Sequence, residues 1–170
     1  MSTELNEKEP VCAFTGHRSI REAHRGILED LVRRAVDYAY GKGVRVFLAG
    51  GAVGFDTVAA AQVILYKISH PDVRLELCIP CADQSEGWSN AERDRYEFIM
   101  ARADSVEILS DRYFKGCMKN RNARLVERAD MLISYADVKK SFSGTMQTVR
   151  MAKEKGIEVY NLFPTLERTK

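Results

Sequence analysis

The sequence predicts an α/β protein, a three-layer sandwich built on a mainly parallel sheet of about six strands. Three observations carry that expectation. Apolar, β-branched runs alternate with helix-period segments along the whole chain. No internal repeat, linker or low-complexity tract interrupts the alternation. Polar or glycine-rich turns follow the apolar runs, as they do where parallel strands hand over to helices.

Residues 1–10 are polar and are expected to form a flexible tail, with 11–170 as one domain. The first strand is "VCAFTG" (11–16). It leads to a helix over 22–40, where Ala23, Ile27, Leu28, Leu31, Val32, Ala35, Val36 and Ala39 share a face, closed by the glycine signal "YGKG". The second strand lies in "VRVFLAGG" (44–51) and its helix in 56–68. The third, "VRLELCIP" (73–80), precedes a helix at roughly 89–103. "SVEILS" (105–110) and a helix at 119–129 follow, then "MLISYA" (131–136) and a helix over 144–155 stopped by Gly156. "IEVYNLF" (157–163) is the sixth strand.

A chain of 170 residues can bury a substantial single core. Its formal charge of +2 is close to neutral and its Lys and Arg are dispersed, so nucleic acid is not an expected partner. No apolar stretch reaches the roughly 20 residues of a membrane helix, and "MSTELNEKEP" has no signal-peptide core. Cys12, Cys78, Cys81 and Cys117 read as reduced thiols, which fits a cytoplasmic protein. Cys78 and Cys81 have C-x-x-C spacing, but they end a strand where a redox pair would open a helix, and a zinc site would need further ligands. No metal is expected.

In such folds ligands sit beyond the carboxyl ends of the strands, where the sheet order reverses. The turn "GGAVGFD" after the second strand is the first candidate. Gly50, Gly51 and Gly54 would let a ligand approach the backbone, and the following helix start favours an anion. The glycines do not follow the first strand and no acid closes the next one, so this is not a dinucleotide fingerprint; nor is there a G-K-[ST] triphosphate loop. Asp56 reads either as the cap of that helix or as an acceptor for a sugar hydroxyl or base amine. Arg18 after the first strand, Arg121 and Asn122 at a helix start, and "FSGT" with Ser143, Gly144 and Thr145 could surround the same anionic ligand. His17, without a visible orienting partner, reads as a strand-end donor rather than a base. Trp88 would either stack on a base or cover the sheet edge.

"TGHR", "GGAVGFD", "MKNRNARLVERAD" and "SGT", with the Gln84 to Trp88 spacing, together resemble the YpsA-like branch of the SLOG superfamily, from Val11 to Phe163. These are Rossmann-like proteins related to the DNA-processing protein DprA and to the LOG phosphoribohydrolases. The resemblance implies a Rossmann-like fold and a site for a nucleotide or a related phosphorylated ribose, through Gly16, His17, Arg18, Gly50, Gly51, Gly54, Asp56, Trp88, Arg121, Asn122, Ser143, Gly144 and Thr145. Met118, Arg121, Ala129 and Asp130 reproduce a spacing of the hydrolases. Where those carry the glutamate of P-G-G-x-G-T-x-x-E, however, this chain has Thr148, which can neither act as a base nor hold a negative charge. The expected function is therefore binding of a nucleotide-type ligand, with no other cofactor. The alternatives are a phosphoribohydrolase using Asp56 or Glu92 and, behind it, a DprA-like binder of single-stranded DNA. Assembly into a homo-oligomer is left open.

Overall fold

A computed structural model describes residues 8–168. Most of the expected tail, residues 1–7, lies outside the described residues; Lys8, Glu9 and Pro10 are exposed, and Glu9 pairs with Arg74 at 2.5 Å. The strands are β1 (Val11–Gly16), β2 (Val46–Ala49), β3 (Arg74–Ile79), β4 (Ser105–Ile108), β5 (Met131–Tyr135) and β6 (Glu158–Asn161). They form one sheet in the order β4-β3-β2-β1-β5-β6, every pair parallel. The helices are α1 (Arg25–Gly41), α2 (Phe55–Ser69), α3 (Asn90–Arg102), α4 (Cys117–Arg128), α5 (Gly144–Lys155) and α6 (Phe163–Arg168). This is the Rossmann-like three-layer sandwich.

The order explains the layers. From β1 to β4 the chain steps outward in one direction; from β4 it crosses back to β5 and continues the opposite way. Right-handed crossovers put helices on opposite faces when the direction reverses. Accordingly Cys12, Phe14, Phe47, Leu75, Leu77 and Ile79 pack with α1, α2 and α3. The alternate residues Val11, Ala13, Val46, Leu48 and Leu132 pack with α4 and α5. Period-two alternation on strands buried on both faces reads as a continuous apolar run, which is how these strands look in the sequence.

Three local devices hold the ends. Gly43, at φ +99°, closes α1, with Val44 N–H donating to Ala39 O at 3.0 Å. Asp130 accepts from Val11 N at 2.9 Å and returns a backbone bond to Val11 O at 2.7 Å, fixing the amino ends of β1 and β5. The Ala129-Asp130 pair thus belongs to the opposite edge of the sheet from the cleft described below. The segment read as one long strand at 157–163 divides: Asn161 clamps Ala136 through both its amide atoms (3.0 and 2.9 Å), and the chain then turns into α6, burying Phe163 and Leu166.

Lys155 Nζ donates to the carbonyls of Val126, Glu127 and Ala129 at 2.7–2.9 Å, capping α4 from the end of α5. Lys155→Met is expected to lower unfolding free energy by about 1–2 kcal/mol. Urea denaturation should show this as a lower midpoint with unchanged slope.

Candidate functional site

β1 and β5 are neighbours whose chains leave in opposite directions, so a crevice opens beyond their carboxyl ends. It holds a cleft of about 240 Å³, lined by Gly16, His17 and Arg18 after β1, Asp56 on α2, Met118, Arg121 and Asn122 on α4, and Ser143, Gly144 and Thr145 at the start of α5. Ten residues expected at a site from sequence, counting Met118 of the hydrolase spacing, thus converge on one place. Gly50, Gly51, Gly54 and Trp88 do not line it.

Arg121 forms the wall nearest β2. Its guanidinium is buried, with the residue 6% exposed, so it is no solvated surface charge. Nη1 donates to Gly50 O at 2.6 Å, Nε to Asn122 Oδ1 at 2.9 Å, and Nη2 reaches Met118 Sδ at 4.0 Å. Gly50 makes room for it: a Cβ there would stand 2.5 Å from Nη1 and 2.9 Å from Asp56 Oδ2. The other glycines of the turn answer to the protein itself. Gly51 (φ +71°) would drive a Cβ to 2.8 Å from Ile79 Cδ1, and Gly54 (φ +84°) would drive one into the carbonyl oxygen of Arg18. The expectation that Gly51 clears space for a ligand is therefore corrected: it clears space for β3 and α3 side chains, and a valine there would damage the turn.

The start of α2 is corrected likewise. Its first N–H, from Phe55, donates to His17 O at 3.2 Å, and the helix is capped at Gly54 rather than by Asp56. Asp56 instead accepts from Ala52 N at 3.2 Å, tying the turn to the helix, and faces the cleft. Burial pushes its carboxyl up to about 6, against the opposing pull of Arg121, the Ala52 N–H and Arg18.

α5 supplies the open donors. Ser143 Oγ accepts from Met146 N at 3.1 Å, leaving the N–H groups of Gly144 and Thr145 without an acceptor among the described residues. Asn122 Nδ2 lies close by, 3.6 Å from where a Gly144 Cβ would be. His17 completes this side, and not as the expected backbone donor: Nε2 accepts from Asp137 N at 2.9 Å, so in the neutral ring the proton sits on Nδ1. Its pKa is lowered, chiefly by burial and then by Lys140. Arg18 is exposed, makes no ion pair among the described residues, and borders two further depressions besides the cleft.

Other candidates fall elsewhere. Glu92 is held in a capping box with Ser89 and borders the neighbouring depression with Arg95, away from Arg121. Trp88 packs edge-on against Tyr96, ring centroids 5.2 Å apart, and borders a second neighbour of the cleft. Thr148 is fully buried, its hydroxyl donating to Gly144 O at 2.8 Å. The cysteines are free and buried; burial pushes Cys78 up to about 11 and Cys81 up to about 12, so neither is a ready thiolate. Asp137, absent from the sequence-based candidates, orients His17 across 120 residues of chain. Only the register of β1 against β5 brings them together.

Fold and cleft together define a Rossmann-like protein with a donor-lined crevice at the switch point of its sheet. The family model described as the YspA SLOG family (YpsA) matches residues 12–164, and the chain belongs to that family. It is also similar to UPF0398 proteins of Bacillus thuringiensis (strain Al Hakam) and Bacillus cereus (strain AH187). Each is 29% identical over 163 residues, covering 90% of this chain and 88% of the relative. Among the described residues no helix is long and apolar enough to cross a membrane.

Asp56 yields a signed prediction. Its folded pKa, raised to about 6 from 3.8, means the folded chain keeps a proton that the unfolded chain has lost. The contribution is complete below the unfolded value and declines as pH rises through the folded one. Relative to Asp56→Asn, wild type should lose on the order of 2–3 kcal/mol between about pH 4 and pH 7. Urea titrations of both proteins across that range provide the check; a constant difference would mean the carboxyl titrates normally.

Proposed function

We propose that the cleft binds the phosphate of a nucleotide or phosphorylated ribose, and that the protein acts as a binding protein rather than an efficient hydrolase. One observation carries this reading: the N–H groups of Gly144 and Thr145, without an acceptor among the described residues, open on the same small cleft as His17 and the guanidinium of Arg18, which has no ion pair among them. A helix N-terminus with an arginine beside it suits a phosphate in both charge and geometry. Asp56, facing the same space, suits the hydroxyls of an attached ribose.

Thr148 speaks against efficient cleavage. LOG-like hydrolases carry a glutamate there, whereas this side chain is enclosed in the core and bonded to its own helix. Replacing it by glutamate would bury a carboxylate instead of presenting one to the cleft. A second reading keeps one supporting observation: Asp56 lines the cleft with a pKa of about 6, a value suited to general acid–base work.

Purified protein should be stabilised by ribose 5-phosphate and by nucleoside monophosphates. A ligand at 100 times its Kd contributes about 2.7 kcal/mol, a rise in Tm of roughly 5–10 °C for a chain of this size. Arg18→Ala, which removes an exposed side chain without a hydrogen bond or ion pair among the described residues, should weaken binding by about 1.5–3 kcal/mol while changing the unliganded Tm little. Absence of any shift would remove the binding reading. Release of base over hours with excess protein, abolished by Asp56→Asn, would establish the second one.

A further inference from the structure

A depression of about 400 Å³ adjoins the cleft and shares Arg18 and Met118 with it. Its chemistry differs. Trp88 and Tyr113 supply aromatic surface, Asp83, Gln84 and Glu86 supply oxygen acceptors, and Arg18 is the only cationic side chain lining it. Asp83 Oδ1 accepts from Tyr113 N at 2.9 Å, fastening the acidic wall to the aromatic one. Trp88 is steadied from behind by its edge-on contact with Tyr96.

Gln84 forms the floor and is 6% exposed. Its Oε1 is a buried oxygen with no hydrogen-bond partner among the described residues, while its amide also meets the Tyr96 hydroxyl and its Nε2 reaches Gly51 O at 3.5 Å, the outer limit of a hydrogen bond. A buried acceptor left unpaired is costly and calls for a donor. The other such atom, Ser134 Oγ, borders none of these depressions.

Resting on the phosphate reading above, we propose that this depression receives the base of the bound nucleotide and selects a base bearing an exocyclic amino group. Trp88 and Tyr113 offer ring faces for a planar heterocycle. Gln84 Oε1 and the carboxylates accept from an amino group, as in adenine. A carbonyl oxygen at the same position, as in hypoxanthine, would meet acceptors and leave them unpaired. Arg18, on the shared wall, lies between phosphate and base.

Trp88 is the only tryptophan in the chain, so its fluorescence reports on this depression alone. The experiment titrates full-length protein with AMP, IMP and ribose 5-phosphate, following both fluorescence and thermal shift. AMP should change Trp88 emission and bind at least about tenfold tighter than IMP, a difference of one hydrogen bond. Ribose 5-phosphate should bind with little change in emission. Gln84→Met should bring AMP down to the affinity of IMP and leave ribose 5-phosphate unaffected. If AMP, IMP and ribose 5-phosphate bind equally and without a fluorescence change, the base site is overturned while the phosphate reading stands. IMP binding as tightly as AMP, or more tightly, overturns the amino-group selection. If none of the three binds, both proposals fall. These wild-type comparisons decide the matter even if the variant does not fold.

Discussion

The site depends on one buried charge. Arg121 places its guanidinium where β2 ends and α2 begins, and a cation there must be surrounded by acceptors or it destabilises the fold. The Gly50 carbonyl and the Asn122 side chain supply direct bonds, and Asp56 supplies an opposing charge across the same space. Each partner in turn constrains the chain. Gly50 can carry no side chain, Asn122 is drawn toward the start of α5, and Asp56 is drawn back over the glycine turn onto Ala52. The guanidinium thereby joins the turn after β2 to a helix that crosses the sheet's other face.

The opposite wall is set by a separate chain of contacts. His17 accepts from the backbone of Asp137, Asp137 pairs with Arg21 at 3.3 Å, and Arg21 N donates to the hydroxyl of Tyr135 at 3.2 Å. Tyr135 Oη also meets His24 Nδ1 at 2.7 Å, while His24 Nε2 lies 2.9 Å from Glu167 on α6. The loop after β5 is thus referenced to the C-terminal helix through a chain of buried and exposed polar groups. One wall hangs from Arg121 and the other from this network, and the open donors of α5 lie between them.

Much of this was legible in the sequence. β1 coincides with its apolar run, and the ends of α5 are announced by a serine cap and Gly156, the latter at φ +83°. The convergence of Arg18, Arg121 and the Gly144-Thr145 start on one cleft follows from an alternating α/β pattern, because such sheets gather their loops at one edge. What was not legible depends on direction in space. A glycine's missing Cβ has no signature in sequence, so Gly51 and Gly54 looked like ligand glycines although they accommodate Ile79 and the Arg18 carbonyl. Phe163 begins a helix of six residues, too short for periodicity to separate it from the strand before it. Asp56 looked like a cap because it stands near a helix start, and only the path of the turn shows its carboxylate folded back.

In the proposed reading, the phosphate site and the position of the hydrolases' glutamate lie on separate parts of the fold. The donors that suit a phosphate come from a helix terminus and from loops at the sheet edge, where backbone groups are free because helix geometry leaves them so. A catalytic carboxylate at position 148 would have to come from one turn further along α5. That turn faces the sheet: Thr148 and Val149 are buried, and the Thr148 hydroxyl finds its acceptor within the helix. Restoring a carboxylate there would require rotating α5 or opening its packing, against the contacts of Met146, Val149 and Ala152 with the sheet. Any carboxylate in the cleft must come from the other wall, and Asp56 is the carboxyl that lines it. Its proton is governed by burial and by Arg121, so the charge that organises the site also bears on the acidity of its carboxyl.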